Sequence, residues 1–135
     1  MSCCNPVQLL NSPQFSTIKA LLDQFGLTVA VLSLQNGTVY LPTNCAFKKI
    51  QNVVNTLTPV EIEQILLYHV SPQQIVGPGN SVLCTLNGAP LLASPKYVNN
   101  IEILTSCTTR KNNTTFNTIN SVLIPFNAAQ CLVRQ

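Results

Sequence analysis

Thr38-Val39-Tyr40-Leu41-Pro42-Thr43-Asn44-Cys45-Ala46-Phe47 leads a strand straight into a helix with no slack between them. Residues 38–41 have the β-branched and aromatic density of a strand, and Pro42, which has no N–H for a ladder, stops it. Thr43 or Asn44 then caps a helix on which Ala46, Phe47, Ile50, Val53 and Val54 recur at helical spacing. A joint this tight requires a core on both sides.

Upstream, Ser12-Pro13 opens a helix closed by Gly26, with Phe15, Ile18, Leu21, Leu22 and Phe25 on one stripe and a Lys19/Asp23 pair on the other face. A shorter helix is expected over 28–34, then a turn at Gln35-Asn36-Gly37. Downstream, Thr58-Pro59-Val60-Glu61 is a capping box, and the helix it starts runs to about His69. Ile62, Ile65, Leu66 and His69 share its buried stripe, so the chain's one histidine is expected in the core. The second half reads as β: strands over 81–86 and 89–93 about a type I′ turn at Asn87-Gly88, a short strand at 97–98, one at 101–105 and a long one at 114–124. Helices early and antiparallel strands late predict one α+β domain over 1–135.

Composition narrows the function. Hydrophobic residues make up 46% and charged ones 8%, with a net charge of +3 from seven scattered basic residues of which only Lys48-Lys49 and Arg110-Lys111 are adjacent. That excludes disorder and lacks the basic stripe of a nucleic-acid surface, so no nucleic-acid partner is expected. No apolar run approaches the ~20 residues of a membrane-spanning helix. Met1 to Pro6 lacks the basic and apolar regions of a secretory leader, so a leader is expected to lie outside this sequence.

Cys3, Cys4, Cys45, Cys84, Cys107 and Cys131 lack metal-type spacing. Disulfides in an oxidising compartment are the expectation, at least two of them, and buried free thiols the alternative. Cys84 with Cys107, and Cys3 or Cys4 with Cys131, are the expected pairings. Three sequons point to the same compartment: Asn36-Gly37-Thr38, Asn112-Asn113-Thr114 and Asn113-Thr114-Thr115, each in an expected turn. Glycosylation is expected at Asn36 and at one of Asn112 and Asn113.

Catalysis finds no constellation. Asp23, Glu61 and Glu63 have helix-face or capping roles, and the sequence contains no nucleophile elbow, phosphate loop or metal cluster. No enzymatic activity and no cofactor are expected.

Three segments together resemble the fasciclin domain, an extracellular adhesion module, over about residues 10–127. The 38–47 stretch is similar to the family's opening signature, Leu66-Leu67-Tyr68-His69-Val70 to its tyrosine-histidine motif, and Ile119-Asn120-Ser121-Val122-Leu123-Ile124-Pro125 to its closing strand. Asn117 and Asn120 stand where the family often has ionisable residues, and Cys45 where it often has an acidic one. The resemblance implies N-terminal helices packed on an antiparallel β-sandwich or wedge. It also implies a secreted or cell-surface protein whose partners are cell-surface or matrix proteins or glycans. Thr43, Asn44, Tyr68 and His69 are the motif residues; in animal relatives the Tyr-His region is implicated in receptor binding. For His69 the core reading is preferred, with Thr43 and Asn44 as its expected hydrogen-bond partners. Some algal relatives bind carotenoids, so the alternative function is a carrier of an apolar small molecule, in a groove by Tyr40, Pro42 and Phe47.

Overall fold

The computed structural model describes residues 5–75, 79–109 and 112–123. Six helices are α1 (Pro6–Leu10), α2 (Ser16–Gln24), α3 (Thr28–Ser33), α4 (Asn44–Lys49), α5 (Gln51–Val54) and α6 (Pro59–Leu67). Seven strands are β1 (Thr38–Pro42), β2 (Val70–Ser71), β3 (Ser81–Cys84), β4 (Pro90–Ala93), β5 (Tyr97–Val98), β6 (Ile101–Thr108) and β7 (Thr115–Ile119). They form one sheet in the order β2-β1-β7-β6-β5-β4-β3.

Local chemistry accounts for most boundaries. A single 3₁₀ turn over Pro13–Phe15 precedes α2, and Ser12 gives it no side-chain cap. At the far end Gly26 takes φ 70°, and the Leu27 and Gly26 N–H groups bond back to Leu22 and Asp23, a Schellman close. Thr58 and Glu61 form the expected reciprocal capping box of α6. The helix after the central strand breaks at Ile50 into α4 and α5. α1, capped by Asn5, lies outside any element expected from the sequence.

The sheet is mixed. β1 pairs β7 in parallel, from Thr38 beside Thr115 to Pro42 beside Ile119, while its other described pairings are antiparallel. The parallel pair brings together strands far apart in sequence, which no hairpin signal marks. β1 is buried at every position because both its faces are covered. Val39 and Leu41 face the helices with Phe15, Ile18, Leu22, Phe47 and Phe116; Tyr40 faces the inside of the sheet with Tyr68, Leu83, Leu91, Val98 and Ile119.

The sheet curls until its two edges meet. Leu86 N–H donates to Val70 O at 2.9 Å, the Ser71 hydroxyl donates to Cys84 O at 2.8 Å, and Cys84 N–H donates to Gln73 Oε1 at 2.8 Å. Side chains do most of the stitching, so the result is a near-barrel with a seam.

Two sequence expectations are corrected. The Asn87-Gly88 hairpin is not a two-residue type I′ turn: Gly88 N–H bonds Thr85 O and only Gly88 has positive φ, giving a turn that ends on a left-handed glycine. The type I′ turn lies instead at Asn99-Asn100, with φ 50° and 69°, between Val98 and Ile101. The Cys84–Cys107 pairing is also excluded. β4 and β5 separate β3 from β6, roughly 14 Å of sheet against a Cα limit of about 7 Å for a disulfide. Cys84 is a free thiol, as is exposed Cys45, whereas Cys107 is disulfide-bonded. Cys3, Cys4 and Cys131 lie outside the described residues.

Candidate functional site

The motif residues brought in by the central joint fasten elements to one another. The Thr43 hydroxyl accepts from Ala46 N–H at 3.3 Å, capping α4, and donates to Asn120 Oδ1 at 2.9 Å. Asn44 reaches back to α2: its Oδ1 accepts from Thr17 N–H at 2.9 Å, and its Nδ2 donates to Pro13 O and the Ser16 hydroxyl, each at 2.9 Å. One residue thus ties β7's end to α4, and the next ties α2 to α4. Neither touches His69 through the hydrogen bonds expected from the sequence.

His69 is fully enclosed just beyond α6. Nδ1 donates to Ile65 O at 2.7 Å, and Nε2 accepts from Leu123 N–H at 2.9 Å. The carbonyl can only accept, which fixes the neutral tautomer with its proton on Nδ1. Burial, opposed by the Ile65 carbonyl, holds the imidazole down at about 4. A ring so placed offers nothing to solvent. The histidine is in the core, as expected, but its partners are two backbone groups.

Tyr68 points the other way, into the curl of the sheet. Its hydroxyl donates to Pro90 O at 2.9 Å and accepts from Asn99 Nδ2 at 3.0 Å. β5 is too short to run beside all of β4, and beyond Leu92 the edge of β4 would be unpaired. Pro90 has no N–H to satisfy there, and the tyrosine hydroxyl takes its carbonyl in place of a strand. Asn99 completes the arrangement: its Oδ1 accepts from Leu92 N–H at 2.9 Å and its own N–H bonds Leu92 O at 2.7 Å.

Where β5 stops short, a cleft of about 480 Å³ opens, lined by Tyr68, Val82, Ala89, Pro90, Leu91, Leu92, Asn99 and Asn100. Its volume falls in the usual range for small-molecule sites, roughly 300–1,000 Å³. Val82 and Leu92, opposite each other in register, are exposed at its lip; Ala89 and Leu91 are buried. No lining group other than the Tyr68 phenol is ionisable, so the chemistry suits an uncharged, mainly apolar guest. Tyr40, Pro42 and Phe47, where a groove is expected from the sequence, are all buried, and none of them lines this cleft. Asn99, Asn100 and β4 were not singled out from the sequence; two consecutive Asn between strand-dense segments, tolerant of positive φ, are the signal that marks the turn.

The sequon asparagines gather at the other end of β6. Asn36 and Asn113 are exposed, both at φ 55°, and Asn113 Nδ2 donates to Asn36 Oδ1 at 3.0 Å. Asn112 is half-buried, its Nδ2 donating to Leu32 O at 3.1 Å. Among the described residues no group of three or more His, Cys, Asp or Glu could hold a metal ion, and no helix is long and apolar enough to cross a membrane.

The family model of the fasciclin domain matches residues 13–125. The chain belongs to the fasciclin family. A solved structure described as a FAS1 domain pair from the insect cell adhesion molecule Fasciclin I superposes on 82% of this chain with a TM-score of 0.58 at 14% identity. This fasciclin chain spans 45% of that one, and the likeness establishes the fold. No curated protein matches it. Fold and motifs now agree: the opening, Tyr-His and closing segments meet around one interior, each holding a neighbouring element.

Proposed function

We propose that the chain is an extracellular interaction module acting in cell adhesion or in matrix or cell-wall association. The family match over residues 13–125 carries this reading; the reading assigns no catalytic role. The inward-turned Tyr68 and His69 move the expected contact away from the Tyr-His motif and onto the sheet. Val82, Leu92, Tyr97 and Leu104 are exposed on β3 to β6, with Glu102 opposite Tyr97 in register, and apolar residues exposed on one sheet favour protein contact. The test is cell or matrix adhesion to the immobilised protein. Val82→Lys and Leu92→Lys, both on exposed positions, are expected to weaken it several-fold without lowering the melting temperature. Adhesion no stronger than to an unrelated control protein would overturn the reading.

The cleft favours a second reading, a carrier of an apolar small molecule such as a carotenoid. Its apolar lining and neutral rim support it. The protein is incubated with carotenoids and other long apolar molecules, and co-elution with a shifted absorption band is the expected result. Failure of every such molecule to co-elute removes the carrier reading and leaves the adhesion reading to its own test.

A further inference from the structure

We propose that Asn36 and Asn113 together form a single glycan-bearing pole of the domain and that Asn112 stays bare. Sequence leaves Asn112 and Asn113 as alternatives; the fold does not. Asn36 Nδ2 makes no hydrogen bond among the described residues, while its Oδ1 accepts from Asn113 Nδ2 at 3.0 Å. Of the two hydrogens on Asn113 Nδ2 one serves that bond, leaving the other to be replaced. Both residues are exposed, and both have left-handed backbone conformations.

Asn112 has the opposite setting. Its amide is turned inward to Leu32 O, near the end of α3, and its carbonyl accepts Asn36 N–H at 2.9 Å. A sugar on that nitrogen would have to lie between the loop and the helix. Transfer precedes folding, so a chain modified there is expected to fail to fold and not to leave the cell.

The chemistry is ordinary N-glycosylation. The side-chain nitrogen forms a bond to the first carbon of an oligosaccharide held on a lipid diphosphate. The lipid diphosphate departs and the nitrogen gives up one proton. This step rests on the extracellular reading for its occurrence in the native host, but which modified chains can fold does not.

The pole's position has a consequence. β6 runs from Ile101, beside the Asn99-Asn100 turn and the cleft, to Thr108, which pairs Thr115 two residues after Asn113. Eight residues of strand separate the two ends by roughly 23 Å. Sugars therefore cover one end of the sheet and leave the cleft and its exposed lip open.

The test is expression of the full chain behind a secretory leader in a eukaryotic host, with enzymatic removal of N-glycans in heavy-oxygen water and peptide mass mapping. Heavy-oxygen label is expected at positions 36 and 113 and not at 112. Asn36→Gln and Asn113→Gln should each remove one glycan's mass, and Asn112→Gln none. Label at 112, or secreted protein without sugar, overturns the assignment. Neither result bears on adhesion, and a native protein found only in the cytosol would overturn the extracellular reading while leaving the acceptor geometry intact.

Discussion

His69 joins three parts of the chain with one ring: α6 through Ile65 O, β2 through its own backbone, and the closing segment through Leu123 N–H. Its folded value of about 4 lies below the ordinary 6.5, so the unfolded chain takes up a proton first as pH falls. Stability is therefore complete above about pH 6.5, declines between 6.5 and 4, and is flat in this contribution below, a total of about 3 kcal/mol. Melting temperature against pH should show that decline, and His69→Phe should abolish it between pH 6.5 and 4; Asp23, whose value Lys19 and Thr28 lower from 3.8, acts only below that window, so a slope that survives within it would contradict the assignment to His69. His69→Ala should cost about 2–4 kcal/mol at neutral pH, from a cavity and a stranded Leu123 N–H. Tyr40 behaves differently. Its hydroxyl and Asn117 Nδ2, side by side in the β1–β7 register, are buried with no hydrogen-bond partner among the described residues, and burial pushes the phenol's ionisation up. Tyr40→Phe is expected to leave stability unchanged or raise it by about 1 kcal/mol in urea unfolding; a loss of that size would show the hydroxyl to be satisfied. Helical periodicity alone put His69 inside. It could not supply Leu123 as a partner, 54 residues away, nor set Asn117 beside Tyr40, because both arrive through pairings distant in sequence.

The β5–β6 turn shows what an element can hide from a sequence reader. Asn87-Gly88 is the stronger type I′ signal, yet the type I′ turn forms at Asn99-Asn100, because there exactly two residues separate paired strands. At Asn87-Gly88 the Leu86 N–H is drawn to Val70 O and the loop lengthens. Tertiary demand decided the turn type. Asn99 and Asn100 share a positive φ but differ in work, and glycine separates the two roles because it holds that conformation without strain. Asn100→Gly should be neutral or slightly stabilising. Asn99→Gly removes the bonds to Leu92 N–H and the Tyr68 hydroxyl and should cost about 1–3 kcal/mol. Chemical denaturation of both variants checks this, and equal effects would mean that the turn's conformation, not the side-chain bridge, holds β4.

At the scale of the whole molecule, most helices and strands were legible because each follows from neighbours within a few residues: the Thr58 capping box, the Gly26 close, the Pro42 stop. The mixed sheet was not, since parallel pairing of β1 with β7 depends on residues 77 positions apart, as Thr43 and Asn120 are. The same blindness produced the wrong cysteine pair and left the cleft beside β4 unforeseen. With Cys45 and Cys84 free, non-reducing peptide mapping should find Cys107 linked to Cys3, Cys4 or Cys131, and a Cys84 linkage would contradict the strand order. The seam between β2 and β3 is the last property that only the assembled chain has. Sheet edges left open recruit other edges, and here Ser71 and Gln73 occupy the groups of Cys84 while Thr38 donates to Gln73 O at 2.9 Å. Gln73 is exposed, so Gln73→Ala removes a stitch without opening the core. The expected outcome is faster amide exchange at Cys84, by about tenfold for a stitch of roughly 1.4 kcal/mol, with exchange in β7 unchanged. If β7 accelerates equally, the seam is no local closure but part of the global unfolding unit; if Cys84 is unaffected, backbone contact at Leu86 suffices to hold the edge.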